Sequence, residues 1–228
     1  MIISAHQPAY LPWLGYFAKI AASDLFVLHD RSRIGRRNML NRNKIGGPGG
    51  EQLLTIPLSH EDLRAERPID EVRLVDDGWR RRHWKAIQMA YRRAPHFRLH
   101  AEFLETYYTT EFTTLNEVCL PFIDYCLEQL KIDCPVHRIS KLELPEFDRQ
   151  TIIPQLCETY GADAFIAGPQ ATNYLDTTGL DGIRIEYFHY AHPVYPQARD
   201  GFQSHLSVLD LLMHCGPESA DIVRGTPS

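Results

Sequence analysis

A histidine and a glutamine follow the first apolar segment of the chain, at a position where such side chains can support chemistry. Met1–Ala5 has the length and composition of a buried strand, and His6 and Gln7 come directly after it. Ligands of open α/β sheets bind just beyond the carboxyl ends of strands. Because the ordinary pKa of histidine is near neutrality, His6 is suited to act as a general acid or base, or as a phosphate ligand, while Gln7 orients a substrate. The alternative is a capped turn in which His6 only bonds the backbone.

Asp30 follows the second apolar strand of the sequence. The pattern predicts a helix over Trp13–Ala22 and a strand over Leu25–His29. A strand–helix–strand unit of this length is a right-handed parallel crossover in nearly all cases. Asp30 is therefore expected at the same edge of the sheet as His6, where it would accept a proton from a hydroxyl or an amine.

Basic residues are concentrated in two windows of the sequence. Arg31–Lys44 contains six of them and Arg80–Arg98 contains seven, of 24 in the whole chain, and neither window contains an acid. Arginine offers a planar fork of donors that suits phosphates and carboxylates. We expect Arg37, Arg42 and Lys44 to hold an anionic small-molecule substrate. The alternative is a solvated face that acids elsewhere balance.

Two further polar segments follow predicted strands in the second half of the chain. Gly168–Asp176 comes after the buried strand Ala164–Ala167, and His189–Gln197 comes at the end of the strand Ile183–Tyr190. Glycine and proline stiffen both segments, which suits a preorganised site. We expect Asn173 to orient the substrate together with the glutamine of the first turn.

Strands alternate with helices along the sequence, and this pattern predicts the fold class. The expected fold is α/β, with a mostly parallel sheet and helices on both faces. The chain is expected to form a single domain over 1–228, with a helical subdomain or insertion at about 79–131. Further elements are predicted as strands at Ile69–Val75 and Val136–Leu144, helices at Trp79–Ala94, Leu115–Leu130, Ile152–Tyr160 and Leu206–Cys215, a surface loop at Ser59–Arg67, and a hairpin tip at Gly46–Gly50.

Composition narrows the class of protein further. The chain has 228 residues, is 44% hydrophobic and carries a net charge of −5, which is ordinary for a globular protein. No run of about 18 apolar residues and no basic leader occur, so neither a membrane span nor a signal peptide is expected, and the protein is predicted to be cytoplasmic. The five cysteines include no C-x-x-C pair, which argues against a disulfide framework or a structural zinc site.

Three other kinds of site are less well supported. His189 and His192 are three residues apart and could join His6 around a catalytic zinc ion. On an extended strand, however, residues three apart point to opposite faces, and no H-E-x-x-H motif is present. No serine lies in a nucleophile elbow. Nucleic acid is disfavoured as a partner because the chain is acidic, with a pI near 6.1.

The opening segment His6–Phe17, with Lys19 and Asp24 after it, resembles the first motif of the WbqC-like family. The resemblance continues in Asn41–Ile45, His83-Trp84, Gly168–Asp176, His192–Gln197 and Leu206–Leu212 before Cys215-Gly216. It implies that further residues of these motifs bind substrate, namely Tyr10, Trp13, Asn41, Asn43, His83, Gly168, Tyr174, His192, Tyr195 and Gln197.

The family is associated with bacterial surface-polysaccharide and natural-product pathways, which implies work on amino sugars or other amines. The expected function is therefore transfer of an acyl or aminoacyl group to an amine, such as a nucleotide-linked amino sugar, or amide formation with ATP. The opening unit also looks like that of nucleotidyltransferases and related ATP-dependent amide ligases, whose histidine motif binds nucleotide phosphates. ATP or another nucleotide is thus the cofactor to consider, although Tyr10 or Leu11 stands where their second histidine would be. The sequence is compatible with a homo-oligomer.

The chain departs from the family pattern in two segments. Arg31–Gly35 replaces a hydrophobic segment that contains glutamine, and Pro169–Asn173 replaces a glycine-rich stretch with a basic residue. Both changes fall at expected site segments. They favour, as the alternative, a non-catalytic ligand-binding or scaffold protein of the same fold, with a metal-dependent hydrolase as the third hypothesis.

Overall fold

Parallel strands form the central sheet of the protein. The computed structural model describes the chain except for residues 36–37, 48, 145–149, 170, 172–179, 181, 199–200 and 226–228. The strands are β1 (Ile2–His6), β2 (Leu25–Leu28), β3 (Arg42–Ile45), β4 (Gln52–Thr55), β5 (Val136–Arg138), β6 (Ala164–Ala167) and β7 (Arg184–Tyr187). The helices are α1 (Leu14–Ala21), α2 (His60–Arg64), α3 (Trp79–Tyr91), α4 (Phe97–Thr109), α5 (Leu115–Gln129), α6 (Ile152–Tyr160), α7 (Val208–Cys215) and α8 (Ser219–Arg224).

The order of the strands places the first strand at the centre. The five-stranded sheet runs β5-β2-β1-β6-β7, and each of its pairs is parallel. The chain moves outward from β1 through β2 to β5, and then crosses to β6 and β7 on the other side of β1. The direction of winding therefore reverses between β1 and β6. This is the point at which open α/β sheets form a crevice for ligands.

Both faces of the sheet are covered, as predicted. Phe26 and Leu28 of β2 belong to one buried hydrophobic cluster, to which α1, α3, α5 and α7 contribute. The alternate residues Leu25 and Val27 belong to a second cluster, with Ile3 of β1 and apolar residues of α6. Since successive side chains of a strand point to opposite faces, these clusters lie on opposite sides of the sheet. The predicted α/β class is confirmed.

A second, two-stranded sheet and the four helices α2 to α5 lie between β2 and β5 in the chain. The strands β3 and β4 pair in antiparallel fashion around the glycine-rich segment, so the predicted hairpin is confirmed. The helices α3, α4 and α5 fall within the predicted helical segment, and α5 continues through Pro121. Among the described residues, no helix is long and apolar enough to cross a membrane.

Several local predictions were wrong. The predicted strand Ile69–Val75 is a 3-10 helix over Ile69–Glu71, followed by single-residue bridges instead of a ladder. The predicted loop Ser59–Arg67 contains α2, because the Ser59 hydroxyl accepts a hydrogen bond from Asp62 N and so caps a helix. The end of the predicted strand Val136–Leu144 turns into a 3-10 helix over Ile139–Lys141, where Ser140 is bonded to a buried aspartate.

Candidate functional site at the carboxyl edge of the sheet

His6 is the last residue of β1 and an exposed residue. Its Nδ1 lies 2.9 Å from the carbonyl oxygen of Gln7. Because a carbonyl oxygen only accepts, Nδ1 carries the proton and Nε2 of the neutral ring keeps a lone pair. Nε2 has no hydrogen-bond partner among the described residues. Tyr16 packs edge-on against the ring, with 5.0 Å between ring centroids, and this contact fixes the orientation of the imidazole.

The surroundings keep His6 neutral at physiological pH. The pKa of His6 is lowered to about 4, mainly by desolvation of the ring and also by the positive charge of Lys19, while the bond to Gln7 acts in the opposite direction. Protein atoms thus surround the ring although the residue keeps exposed surface. Lys19 is itself buried and donates from Nζ to the Ala5 carbonyl oxygen at 2.8 Å. Desolvation lowers the pKa of Lys19 to about 8.

Gln7 links the first turn to the end of the neighbouring strand. Its side-chain Nε2 donates to the Ser32 hydroxyl at 2.7 Å, and that hydroxyl donates to the His29 carbonyl oxygen at 3.2 Å. The backbone N–H of His29 in turn donates to the His6 carbonyl oxygen at 2.9 Å. These bonds hold His6 and Gln7 in one frame across the ends of β1 and β2. The amide oxygen of Gln7 has no hydrogen-bond partner among the described residues.

Gly168 follows β6 on the other side of His6. Its carbonyl oxygen accepts a hydrogen bond from Ala171 N at 2.9 Å. Since β1 and β6 pair in parallel, Gly168 and His6 flank the point where the winding of the sheet reverses. Asn173 and Tyr174, which the sequence also assigned to this segment, lie outside the described residues.

Asp30 lies at the predicted edge of the sheet, but its carboxylate is enclosed. Its side chain is 0% exposed. It accepts hydrogen bonds from the backbone N–H and the hydroxyl of Ser140, at 2.9 and 2.7 Å, and from Asn116 Nδ2 at 3.1 Å, and Arg138 lies 3.9 Å away. With these partners in place, the carboxylate cannot reach a ligand beside His6. Asp30 therefore links the ends of β2 and β5 to the start of α5.

Tyr10 and His83 form part of the interior. The hydroxyl of Tyr10 donates to Nδ1 of His83 at 2.9 Å and lies 2.6 Å from the hydroxyl of Tyr108. Burial lowers the pKa of His83 to about 4, while a hydrogen bond from its ring to the Thr55 backbone acts in the opposite direction. Tyr10 is 0% exposed and His83 is 6% exposed, so this chain of hydrogen bonds does not open to solvent.

The hairpin residues that were expected to bind substrate are arranged in three ways. Asn41 is buried and donates from Nδ2 to the Ile56 carbonyl oxygen at 2.6 Å. Arg42 is half-buried and donates from Nε to the Asn41 side-chain oxygen at 3.3 Å. Lys44 instead pairs with Glu51 across the hairpin at 2.7 Å, so its charge is already balanced. The salt bridges among the described residues include no partner for Arg42, so it differs from Lys44 in this respect.

Asn43 positions the opening turn. Its side-chain Nδ2 donates to the carbonyl oxygen of Leu11, and its side-chain oxygen accepts from Lys44 N at 2.8 Å. Leu11 has a φ of +47°, a conformation that costs free energy for a residue with a β-carbon. The hydrogen bond from Asn43 supports this conformation. Arg37, the other arginine assigned to this segment, lies outside the described residues.

Trp13 is the centre of an aromatic cluster at the start of α1. Its indole stacks on His192 and His205, with centroids 6.4 and 5.4 Å apart, and meets Tyr190 edge-on at 5.7 Å. A β-carbon at Gly15 would overlap the indole, so the glycine is required for the tryptophan to fold back over the helix. Trp13 and His192, which are far apart in the sequence, are thus brought together.

His192 uses both of its ring nitrogens within the protein. Nδ1 donates to the Pro193 carbonyl oxygen at 2.9 Å, and Nε2 accepts from His205 N at 3.1 Å. A metal ligand needs a free nitrogen lone pair, which His192 does not have in this arrangement. Within the described part of the chain, no group of three or more His, Cys, Asp or Glu side chains is placed to hold a metal ion.

Tyr195 and Gln197 converge on a buried carboxylate of α7. Asp210 accepts hydrogen bonds at Oδ2 from the Tyr195 hydroxyl at 3.0 Å and Gln197 Nε2 at 2.8 Å, and at Oδ1 from the Tyr91 hydroxyl at 2.9 Å. Tyr91 also accepts from Gly46 N at 2.8 Å, which ties the hairpin to this group. We call Asp210, Tyr91, Tyr195 and Gln197 the Asp210 centre. Asp210 is 1% exposed, so the centre is an internal structure.

Several residues at these positions were not found from the sequence. Tyr16 and Ser32 contact His6 and Gln7 directly, and His205 completes the stack on Trp13. Ser32 stands two positions after an aspartate that had been singled out, so proximity in the chain offered a signal. Asp210 offered a clearer one, since it is an acid within an otherwise apolar helix, where burial requires hydrogen-bond donors.

The central strand, the reversal of winding beside it and the polar side chains at that edge define an α/β protein of the doubly wound class. The chain belongs to the WbqC-like protein family, whose model matches residues 7–222. It is also similar to the uncharacterized protein Rv1507c of Mycobacterium tuberculosis, with 31% identity over 222 residues that cover 96% of this chain and 95% of that protein. No solved structure matches the chain. The family that the sequence motifs indicated is confirmed.

Proposed function

We propose that the protein is an enzyme that transfers an acyl or aminoacyl group to an amine at the carboxyl edge of the sheet. The observation that carries the proposal is the Nε2 lone pair of His6, which has no partner among the described residues, on an exposed residue at the end of the central strand. A neutral imidazole with one nitrogen fixed by hydrogen bonding and the other free is arranged to accept a proton. The family membership supports an amine such as a nucleotide-linked amino sugar as the acceptor.

The proposed reaction has one proton to move. The amine nitrogen attacks the carbonyl carbon of an activated acyl donor, and a C–N bond forms. The nitrogen then carries a positive charge and becomes acidic, so that a weak base suffices to remove its proton. His6 Nε2 accepts this proton as the bond to the leaving group breaks, and returns it to the leaving group. A pKa of about 4 makes the imidazolium a strong acid, which favours this return.

Other residues would support the reaction without exchanging protons. The free amide oxygen of Gln7 is suited to accept a hydrogen bond from the attacking amine, while Ser32 fixes the glutamine. Asp30 would act as a structural residue of the edge, because its carboxylate is already bonded. Asn173 and Arg37 remain proposed substrate contacts from the sequence. The donor would be a thioester or an acyl group activated by ATP, and we propose the cytoplasm as the place of action.

The second candidate is a non-catalytic ligand-binding protein of the same fold. The observation that favours it is the internal bonding of several expected site residues, among them Tyr10, His83 and Asp30. Such a protein would bind its ligand at the same edge without turnover. The two candidates therefore differ in product formation and agree on the place of binding.

The test combines ligand binding with turnover. Thermal unfolding with ATP, CoA thioesters and nucleotide-linked amino sugars identifies ligands, and mass spectrometry of mixed donor and acceptor then detects an acylated amine. We expect His6→Gln to lower turnover at least 100-fold, the lower end of what a general base contributes. The matched control is His137→Gln, since His137 is an exposed histidine of β5. Ligand stabilisation without product supports the binding protein, and full activity of His6→Gln contradicts the proposed mechanism.

A further inference from the structure

A cavity lies between the hairpin strand β4 and helix α2. Its volume is about 410 Å³, which is within the range of small-molecule sites. The half-buried Pro57 and Leu63 supply apolar surface, Ile56 and Leu58 are buried in the same wall, and Arg42 and Arg64 supply the charges. None of the residues found to line it is acidic.

Both arginines are held by their Nε atoms. Arg42 donates from Nε to the Asn41 side-chain oxygen at 3.3 Å, and Asn41 is itself fixed by its bond to Ile56 O. Arg64 donates from Nε to the carbonyl oxygen of His60 at 3.2 Å. The terminal amino groups of Arg42 and Arg64 have no hydrogen-bond or ion-pair partner in the part of the chain that the structure describes. Two arginines, each fixed through Nε and with terminal amino groups unpartnered among the described residues, thus line the same cavity.

The neighbouring arginines differ from Arg42 and Arg64, because acidic side chains neutralise their charges. Arg67 pairs with Asp62 and Glu71, and Arg73 pairs with Asp62 and Glu61. These acids belong to α2 or to the segment just after it, close in sequence to Arg64. The local carboxylates are therefore engaged by Arg67 and Arg73, and the two arginines of the cavity keep their charge uncompensated.

We propose that this cavity is a second ligand site, which takes a small molecule with an oxyanion group, phosphate or carboxylate, attached to an apolar body. Arg42 and Arg64 bind the oxyanion, and the apolar part packs against Pro57 and Leu63, in the wall in which Ile56 and Leu58 are buried. The proposal assigns a role to Arg64, which the sequence did not single out. It does not depend on acyl transfer at His6.

The first experiment measures the binding of three probes of similar size to the full chain. Phenyl phosphate and benzoate carry the two oxyanions, and benzyl alcohol is the neutral probe. Methyl NMR signals of isoleucine and leucine locate the binding. We expect the signals of Ile56, Leu58 and Leu63 to shift, with at least tenfold tighter binding of one or both anions than of benzyl alcohol. The stronger anion identifies the group. Equal binding of all three, or shifts elsewhere, would overturn the proposal.

The second experiment uses variants. Arg42→Gln and Arg64→Gln are each expected to weaken binding of the preferred anion at least tenfold, the size of a lost charge-assisted hydrogen bond. Arg98→Gln removes an equal charge from an exposed position of α4 and should change binding less than twofold. His6→Gln should also leave this binding unchanged, which separates the cavity from the edge site. Unchanged binding in both cavity variants contradicts the proposal, and if a variant fails to fold, the probe experiment on the unaltered chain still decides.

Discussion

The edge around His6 and the Asp210 centre are built from the same kinds of residue, yet their hydrogen-bonding capacity differs. In the Asp210 centre, two tyrosine hydroxyls and a glutamine amide all donate to one carboxylate. At the edge, His6 Nε2 and the amide oxygen of Gln7 have no partner among the described residues. A polar residue in a family motif can therefore either bind a ligand or stabilise the fold around the site. The two kinds differ in whether hydrogen-bonding groups stay unpaired after folding.

Burial explains this difference. A carboxylate that is 1% exposed must be paired with donors, since an unpaired buried charge costs several kcal/mol. The hydrogen bonds around Asp210 thus contribute to the free energy of folding. His6 is an exposed residue at the end of a strand, and so its second nitrogen needs no partner in the protein. The two regions should respond to substitution in opposite ways.

The largest effect on stability is expected at the Asp210 centre. Asp210→Ala leaves three donors buried without an acceptor, and each hydrogen bond to a charged group is worth about 1.5–3 kcal/mol. We expect the free energy of unfolding in urea to fall by about 3 kcal/mol or more. Tyr91→Phe removes one of these donors and should cost less. A loss below about 1 kcal/mol for Asp210→Ala would show that the centre is not a main support of the fold.

The next largest effect is on the pH dependence of stability, which should differ between the buried His83 and the exposed His6. Burial lowers the pKa of His83 from 6.5 to about 4. Between these two pH values the unfolded state binds a proton at this histidine and the folded state does not. The resulting stabilisation is complete above pH 6.5 and is lost as the pH falls toward 4, by about 3 kcal/mol. Urea unfolding at several pH values measures it. His83→Gln should flatten this slope, whereas His6→Gln should change it less because solvent screens the exposed ring. Equal slopes in all three proteins contradict the assignment.

A smaller effect is expected where the aromatic cluster meets the edge. Gly15→Ala forces the Trp13 indole away from its place over α1, and overpacking of this kind costs about 1–3 kcal/mol. Tryptophan fluorescence should change because the indole loses its stacking on His192 and His205. Gly35→Ala is the control, since among the described residues no atom outside its chain neighbours lies within 4 Å of the added carbon. The same loss of stability in both variants would mean that the overlap is not the cause.

The smallest effect on stability is expected at His6 itself. His6→Gln removes one hydrogen bond to a backbone oxygen at an exposed position, and such surface changes are usually within about 0.5 kcal/mol. Thermal and urea unfolding should therefore match the unaltered protein while turnover is lost. A marked loss of stability would place His6 with the supporting residues and remove the contrast with Asp210.

The fold could be predicted where the signal is local. The β1–α1–β2 crossover follows from short apolar runs around a helical pattern, and the hairpin follows from glycines between two extended segments. The segment Ile69–Val75 also has the composition of a strand, but its residues meet only isolated bridge partners. Whether such a run becomes a strand depends on a neighbour that lies elsewhere in the sequence.

The site could be predicted only in part, for a related reason. Topology correctly put His6 and Asp30 at one edge of the sheet. The enclosure of Asp30 comes from Ser140 and Asn116, which are 110 and 86 positions away, and no local pattern reports them. The same holds for Tyr10, whose hydroxyl meets His83 only in the folded interior. Residue type and strand order locate an edge, while long-range packing decides which groups stay available there.

The central place of β1 also has a consequence for how the chain reaches its fold during synthesis. Ile2 pairs with Ala164, so one side of the first strand stays without its partner until most of the chain has been made. Contacts of such separation slow folding, and an open edge of a central apolar strand is prone to pair with other chains. We expect translation products that stop before β6 to aggregate, and a chaperone that covers residues 1–6 on the ribosome to increase the yield of native protein.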